Sequence, residues 1–397
     1  MTSWELKKLS DVCEVIMGQS PPGNTYNKNG TGLPFFQGKT DFGSFYPTPS
    51  TWCTKPKKIA EPNDILISVR APVGPTNMCN LRCCIGRGLT AIRTKDKINP
   101  KFVLYYLRSV EADITSMGTG STFQAISKSQ IANLEIPLAP VPVQNLIVSE
   151  IEKQFSRLDE AVAALKRVRA SLKRYKASVL KAAVEGKLVT SEQKKWKTTT
   201  VGEVSEVVTK GSSPNWQGFE YSSEGVVFVR SQNVSWGHLD LSDVAHLPLA
   251  FNKKEKKSVL RTGDVLLNIV GASIGRAAVA TKSIEGGNIN QAVAVIRPLR
   301  DRLLPQFLMC YFLSEKVQKL IHAQKVDVAR ANYSLDQIRK LPLHLPPLDD
   351  QHRIVEEIES RLSVTEEIEE AIDINLKRAE RLRQAILKKA FSGRLVS

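Results

Sequence analysis

The sequence predicts an α+β protein in which two duplicated mixed α/β domains are separated by two long antiparallel coiled-coil helices, with pseudo-twofold symmetry. Three observations predict this fold class: one segment repeats without a gap, weaker repeats precede it, and short β-type runs alternate with turns elsewhere. At 397 residues and 42% hydrophobic composition, the chain can bury more than one sizeable core. We therefore expect two domains.

The ungapped repeat establishes the duplication. Residues 131–189 match residues 338–396 at a constant offset of 207, and about a third of the pairs are identical. Each copy begins a helix after a proline-rich segment at Gln144 or Gln351, and each ends in Gly-x-Leu-Val. Gly186 and Gly393 suit the C′ position of a helix, where a left-handed backbone is common. The repeat predicts two helices of about 40 residues each.

Apolar residues in both helices follow a coiled-coil spacing. The predicted seam consists of Ile151, Phe155, Leu158, Val162, Leu165, Leu172 and Val179 in the first helix, and Ile354, Ile358, Leu362, Ile368, Ile372, Leu376, Ala379 and Ile386 in the second. The first helix ends where the second domain begins, at the linker 190–199, and the second helix starts where that domain ends. The helices should therefore be antiparallel, with Met1 and Ser397 near the same domain.

The remaining sequence predicts the domain interiors. Strands are expected at residues 65–69, 89–92, 226–229, 265–270 and 292–296, and helices at 102–110 and 307–323. Upstream matches such as Asp64-Ile-Leu-Ile with Asp264-Val-Leu-Leu have drifting offsets, which indicates that the loops have diverged. The predicted division is a first domain at 1–142, a helix at 143–189, a second domain at 190–349 and a helix at 350–397.

Charge and cysteine usage limit the possible partners. A formal net charge of +16 favours a polyanion such as nucleic acid, because lysine and arginine release counterions from phosphates. No signal-peptide core or membrane-length apolar run is found, so a cytoplasmic protein with reduced thiols is expected. The spacing of Cys79, Cys83 and Cys84 is not C-x-x-C and no histidine is near, so no metal site is predicted.

The sequence offers no catalytic centre. The segment from Gly18 to Thr25 is close to a phosphate-binding loop, but Asn24 replaces the lysine, and two prolines lack amide donors. A turn is predicted there instead. The five histidines have no metal-binding spacing, and no methyltransferase or helicase motif is present. We predict a non-catalytic chain without a cofactor of its own.

Candidate DNA contacts lie at loops in both halves, because Arg, Lys, Asn and Gln read base edges in the major groove. For any one of these positions, a local structural role remains the alternative. The candidate residues are Gln37, Lys39, Arg70 and Arg87 in the first half, and Arg230, Gln232, Asn233, Asn290, Gln291, Arg330 and Tyr333 in the second.

Over essentially its whole length, the sequence resembles the specificity subunit of type I restriction-modification systems. The resemblance rests on the paired domains that open like Trp4-x-x-x-x-Leu9-x-Asp11-Val12, the proline-rich segments, Gln144 and Gln351, and the Gly-x-Leu ends. It implies recognition of a bipartite asymmetric site in double-stranded DNA, with a spacer set by the helices. It also implies two modification subunits that methylate adenine with S-adenosylmethionine, and restriction subunits that use ATP and Mg²⁺ to translocate and cleave DNA.

Two other functions remain open at this point. A self-contained methyltransferase or nuclease would require motifs that the sequence lacks. A coiled-coil scaffold with two protein-binding heads would explain the helices but not the charge. Binding to duplex DNA with a steep salt dependence separates the scaffold from the DNA-recognition protein.

Overall fold

A computed structural model describes residues 4–118, 125–189, 196–324 and 332–396. The chain divides into two compact units. Unit 1 contains residues 1–166 and 373–397, and unit 2 contains residues 167–372. Each unit therefore includes part of both long helices.

In the first half of the chain, strands and helices follow one another as short elements before one long helix. The strands are β1 Glu5–Lys8, β2 Cys13–Met17, β3 Tyr26–Asn27, β4 Leu33–Phe36, β5 Trp52–Cys53, β6 Ile59–Ala60, β7 Ile65–Ser68, β8 Thr76–Met78, β9 Cys83–Ile85, β10 Leu89–Thr94 and β11 Glu135–Leu138. The helices are α1 Leu9–Val12, α2 Pro100–Ser109, α3 Glu111–Ser116, α4 Lys128–Ala132 and α5 Val141–Val184.

The second half repeats this order. Its strands are β12 Lys197–Thr200, β13 Ser205–Lys210, β14 Val226–Val229, β15 Ala245–Leu247, β16 Val265–Asn268, β17 Ala277–Val279, β18 Asn288–Ile289, β19 Val293–Pro298 and β20 Pro342–Leu345. Its helices are α6 Leu249–Lys254, α7 Pro305–Leu313, α8 Glu315–Gln324, α9 Leu335–Arg339 and α10 Leu348–Phe391.

The two units share the topology of their main sheet, whereas the second sheet has five strands in unit 1 and three in unit 2. Unit 1 has an antiparallel sheet in the order β2-β10-β7-β8, and unit 2 has the matching order β13-β19-β16-β17. A second sheet contains one parallel pair in each unit, β4 with β9 and β14 with β18. The terminal strands pair as β1 with β11 and β12 with β20. The duplication predicted from the helices thus extends through the folded domains.

The glutamines shared by the two repeats fasten each long helix to its domain. The Gln144 side chain is buried, accepts a hydrogen bond from the Asn99 amide (2.9 Å) and donates to the Ala139 carbonyl (2.8 Å). The Gln351 side chain accepts from the Leu304 amide (2.8 Å) and donates to the carbonyls of Arg302 and Pro346. A buried amide that satisfies backbone groups in this way is costly to replace, because its partners would be left unpaired.

The ends of the long helices are as predicted. Gly186 and Gly393 have φ of 68° and 70°, a left-handed conformation that glycine adopts without a side-chain penalty. Each helix ends with a hydrogen bond from the residue after the glycine, Lys187 to Ala182 and Arg394 to Lys389. Leu395 and Val396 pack against the unit 1 core, as does Trp4, so the chain end returns to the first domain. Met1 and Ser397 lie outside the described residues.

The two long helices run antiparallel. Asp159 of α5 pairs with Arg383 of α10 within unit 1, and Lys176 pairs with Glu369 (2.7 Å) within unit 2. Residue numbers therefore rise in one helix as they fall in the other. Buried residues in α10 occur every seven positions, at Ile358, Thr365, Ile372, Ala379 and Ile386. This heptad confirms the coiled-coil spacing.

Two sequence-based expectations need correction. Ile368 was expected in the seam, but its side chain is exposed because the buried position is Thr365, three residues earlier. The helix expected at residues 307–323 is two helices, α7 and α8. Ser314 between them has an extended backbone, and its hydroxyl donates to the Tyr311 carbonyl at 2.7 Å. The remaining predicted strands are present to within two residues at each end.

Candidate nucleic-acid interface

In unit 1, the candidate residues lie on three adjacent loops. Because β4 and β9 are parallel, their ends lie side by side, which brings the loop 37–39 next to the loop 86–88. The Gly86 amide donates to the Phe36 carbonyl (2.8 Å), and the Val69 amide at the end of β7 donates to the Gly88 carbonyl (2.9 Å). Gln37, Lys39, Arg70 and Arg87 are all exposed on these loops.

The approach of the first two loops depends on glycine. A Cβ atom at position 88 would lie 2.2 Å from the Gln37 carbonyl oxygen, a distance that no side chain could occupy. By contrast, a Cβ atom at Gly38 would have no neighbour within 4 Å. The loop 37–39 is further fixed by Asp41, whose carboxylate accepts hydrogen bonds from the amides of Gln37 (2.6 Å) and Gly38 (3.3 Å). The exposed side chains therefore project from a well-defined backbone.

Unit 2 repeats these loops with different side chains. The Asn290 amide donates to the Val229 carbonyl (3.0 Å), and the Ile269 amide donates to the Ala292 carbonyl (2.9 Å), which are the same two connections. By this correspondence Arg230 takes the place of Gln37, and Gln291 takes the place of Arg87. Val270 takes the place of Arg70, so that third position is apolar in unit 2. One backbone arrangement thus carries two different sets of side chains, of which Arg230 and Val270 are half-buried.

Arg230 and Gln232 are held by one carboxylate that the sequence did not single out. The Arg230 guanidinium donates to the Asp243 carbonyl (2.8 Å), lies 3.2 Å from the Asp243 carboxylate and stands 6.0 Å from the Tyr221 ring centroid. The Gln232 amide donates to the same carboxylate (2.8 Å). Asp243 therefore orients both side chains, and DNA that bound them would have to compete with it or use their remaining donors.

Two of the predicted contact residues are structural. Asn233 is 2% exposed, and its amide donates to the carbonyls of Asp240 and Asp243 while its oxygen accepts from the Arg230 amide. Tyr333 is fully buried in the unit 2 core, and burial raises its pKa to about 12. Neither side chain can reach DNA from these positions. Both are removed from the set, because a polar or aromatic residue in a loop sequence can equally serve to close the loop.

The other predicted residues of unit 2 differ in accessibility. Gln291 is exposed, whereas Asn290 is half-buried and accepts a hydrogen bond from the Ala292 amide (3.2 Å). Arg330 lies outside the described residues. The sequence analysis does not single out Trp216, which is 87% exposed in a short 3-10 turn at Asn215–Gln217. A tryptophan flanked by Pro-Asn and Gln-Gly, without apolar periodicity around it, is the sequence signal that could have indicated it.

The segment that resembles a phosphate-binding loop is a packed turn, as predicted. The amides of Gly18 and Gln19 donate to the carbonyls of Leu89 (2.9 Å) and Ile85 (3.0 Å), so they are not available to a phosphate. A Cβ atom at Gly18 would lie 2.2 Å from the Gly86 carbonyl oxygen. This turn packs against the loop 86–88 and therefore has a structural role in the candidate interface.

The described residues give no support for a metal or membrane role. They contain no group of three or more His, Cys, Asp or Glu side chains arranged to hold a metal ion. All six cysteines are buried and free, and Cys79 and Cys83 have their sulfur atoms 3.5 Å apart. No helix within the described ranges combines the length and the apolar composition needed to cross a membrane.

A family model described as the type I restriction modification DNA specificity domain matches residues 1–173 and 193–378. The chain belongs to this family. Membership confirms the predicted family and, with it, DNA sequence recognition as the role of the chain. Curated proteins that are similar to this chain are named specificity subunits. This agrees with the prediction that the chain is not itself a catalytic subunit.

Three similar proteins show how far the likeness extends. A putative type I restriction enzyme MjaX specificity subunit from Methanocaldococcus jannaschii is 38% identical over 188 residues, which are 47% of this chain and 43% of that protein. The EcoBI specificity subunit from Escherichia coli is 25% identical over 85% of this chain and 74% of its own length. The crystal structure of an HsdS subunit from Thermoanaerobacter tengcongensis shares the fold, with a TM-score of 0.60 and 21% identity over 99% of this chain and 98% of that one.

Proposed function

We propose that the chain recognises a bipartite, asymmetric sequence in double-stranded DNA, with one half read by the three-loop surface of each unit. The observation that carries this proposal is the repetition of one loop backbone with different side chains. Gln37 and Arg87 in unit 1 correspond to Arg230 and Gln291 in unit 2. Arginine, glutamine and lysine can form bidentate or directional contacts with base edges, so a change of side chain on a constant backbone would change the sequence that is read.

The chain would act through partners. We propose that it directs two modification subunits, which would use S-adenosylmethionine to methylate adenine, and that restriction subunits would supply ATP-dependent translocation and cleavage with Mg²⁺. The chain would need no cofactor of its own and would work in the cytoplasm. The family membership supports this assignment of roles, and the net charge of +16 supports a DNA partner.

The long helices would set the distance between the two half-sites. Each has 44 residues, about 66 Å of helix at 1.5 Å per residue. The heptad of buried residues in α10 supports a rigid paired element. A spacer of fixed length in the recognised sequence would follow.

Methylome sequencing of a host that expresses this chain with its modification subunits tests the proposal directly. We expect one methylated motif in which two halves of defined sequence are separated by a spacer of fixed length and undefined sequence. A duplex that carries this motif should then bind the purified complex more tightly than a duplex with either half scrambled. If the complex shows no preference among these duplexes, the chain does not specify the sequence.

The scaffold alternative makes a different prediction for the same protein. A pair of protein-binding heads would bind duplex DNA weakly, with little dependence on salt. DNA binding through several phosphates would instead weaken steeply as salt rises. Titration at several salt concentrations therefore distinguishes the two functions.

A further inference from the structure

Each unit has a short lysine-rich segment close to the candidate loop that follows β9 in unit 1 or β18 in unit 2. In unit 1, this segment is residues 54–58, which contain Lys55, Lys57 and Lys58 between β5 and β6. In unit 2, it is residues 253–257, which contain four lysines at the end of α6 and in the following turn. All seven lysines are exposed.

Hydrogen bonds connect the unit 1 segment to the candidate interface. The Lys58 carbonyl accepts from the amide of Ile85 (2.9 Å), the last residue of β9. Gly86 and Arg87 follow directly. The lysine segment therefore precedes a strand that lies against the strand leading into the base-reading loop.

The unit 2 segment is placed in the same way, although its local structure differs. The Asn288 side chain donates to the Glu255 carbonyl (3.1 Å) and to the Ser258 hydroxyl (2.9 Å), which ties the segment to the first residue of β18. β18 leads into Asn290 and Gln291. Glu255 also accepts from the Gln217 side chain (2.5 Å), which joins the segment to the turn that bears Trp216.

The charge of the segments is largely uncompensated. Among the described residues, one carboxylate lies within 4 Å of these lysines. It belongs to buried Glu255 and is 3.7 Å from the Lys257 ammonium. The two segments have no sequence repeat in common, and one includes a helix that the other lacks. What the two positions share is a concentration of exposed positive charge next to the reading loops. Two domains that differ in sequence and local structure here, yet both place exposed positive charge beside the candidate loops, suggest a ligand feature that does not depend on base sequence.

We propose that both lysine segments bind backbone phosphates that flank each half-site. This inference rests on the proposed function and adds to it a second contact surface, one that contributes affinity without sequence information. Phosphate contacts fix the position of a protein on DNA, whereas base contacts provide specificity. The segments would then hold each set of reading loops in register.

The test compares two variants that remove the same charge from unit 2. K253Q/K256Q removes two lysines of the segment, and K316Q/K340Q removes two exposed lysines elsewhere in the unit. Binding of the full complex to duplexes with the methylated motif, or with its second half scrambled, is measured from about 50 to 200 mM salt. Each phosphate contact contributes about −0.9 to the slope of log K against log salt. K253Q/K256Q should therefore make this negative slope less steep by about 2 on both duplexes.

Two further results locate the effect. The conservative variant K253R/K256R should keep the wild-type slope, because the charge remains. When the duplex is truncated just outside the second half-site, wild type and K253Q/K256Q should have the same salt slope. Truncation just outside the first half-site should leave their slopes different. K55Q/K57Q should show the opposite dependence on the two ends.

The outcomes separate this inference from the proposed function. If K253Q/K256Q has the wild-type slope, or if K316Q/K340Q lowers the slope equally, the lysine segments do not bind phosphate and the inference is wrong, while recognition of the motif stands. If the wild-type complex does not distinguish the motif from the scrambled duplex, the proposed function itself fails. Circular dichroism of each variant shows whether the fold is retained.

Discussion

Lengthening the long helices by one heptad should lengthen the spacer in the recognised sequence. Seven residues inserted after Leu165 and after Ile372 fall at equivalent points of the repeat, 207 residues apart. In α10 the insertion lies between buried Ile372 and buried Ala379, and it preserves the seven-residue spacing of the seam. The paired helices should therefore remain intact.

The expected change can be calculated from helix and DNA geometry. Seven residues add about 10 Å at 1.5 Å per residue. At about 3.4 Å per base pair, this corresponds to about 3 base pairs of spacer. With about 10 to 10.5 base pairs per turn, the half-sites also rotate by roughly a third of a turn, so the affinity should fall. Three inserted heptads would add about 31 Å, or about 9 base pairs, and would nearly restore the rotational phase.

Methylome sequencing of hosts that express each variant with its modification subunits measures the spacer directly. We expect weak methylation of a motif lengthened by about 3 base pairs for one heptad, and stronger methylation of a motif lengthened by about 9 for three. A four-residue insertion at the same points is the control, because it shifts the seam and should abolish activity. An unchanged spacer with full activity in the one-heptad variant would refute the idea that the helices measure DNA.

Three further predictions concern individual residues. R230A/Q232A should alter readout of the second half-site alone, with about 1 to 3 kcal/mol of binding free energy lost for each bidentate contact. Binding to singly substituted duplexes measures this loss. An equal loss at both half-sites would indicate that the two side chains have a structural role. Gly88→Ala should weaken readout of the first half-site, because its Cβ would lie 2.2 Å from a carbonyl oxygen, whereas Gly38→Ala has open space and should leave the backbone of its loop and the free energy of unfolding unchanged. Gln351→Met should lower the free energy of unfolding by about 2 to 4 kcal/mol in urea titrations, because an amide and two carbonyls lose their buried partner.

The scaffold of this protein could be predicted from its sequence because its determinants are local and repeated. The helix ends at Gly186 and Gly393 follow from one residue type with a left-handed backbone. The heptad in α10 follows from periodicity, and the single error at Ile368 arose because buried Thr365 is polar. A periodicity argument counts apolar residues, so it misses a threonine whose hydroxyl is satisfied by its own helix, here by the Leu362 carbonyl at 2.7 Å.

The candidate interface could be predicted only in part, because neighbouring residues of the same chemical class have opposite roles. Gln232 and Asn233 are adjacent amides, yet Gln232 is exposed and Asn233 closes the loop from inside. Which of the two faces solvent depends on Asp240 and Asp243, which follow seven to ten residues later. No pattern within the loop itself contains that information.

The correspondence between Arg87 and Gln291 was also hidden in the sequence, because insertions shift the offset between the two domains. It becomes visible through the parallel strand pairs, which align Ile85 with Phe36 and Ile289 with Val229. The backbone hydrogen bonds at these points are the same in both units, whereas the exposed side chains that follow are different. Backbone contacts do not constrain the identity of an exposed side chain, so the reading residues could change while the loops kept their places. Under the proposed function, this separation would allow one duplicated fold to present two different surfaces to DNA.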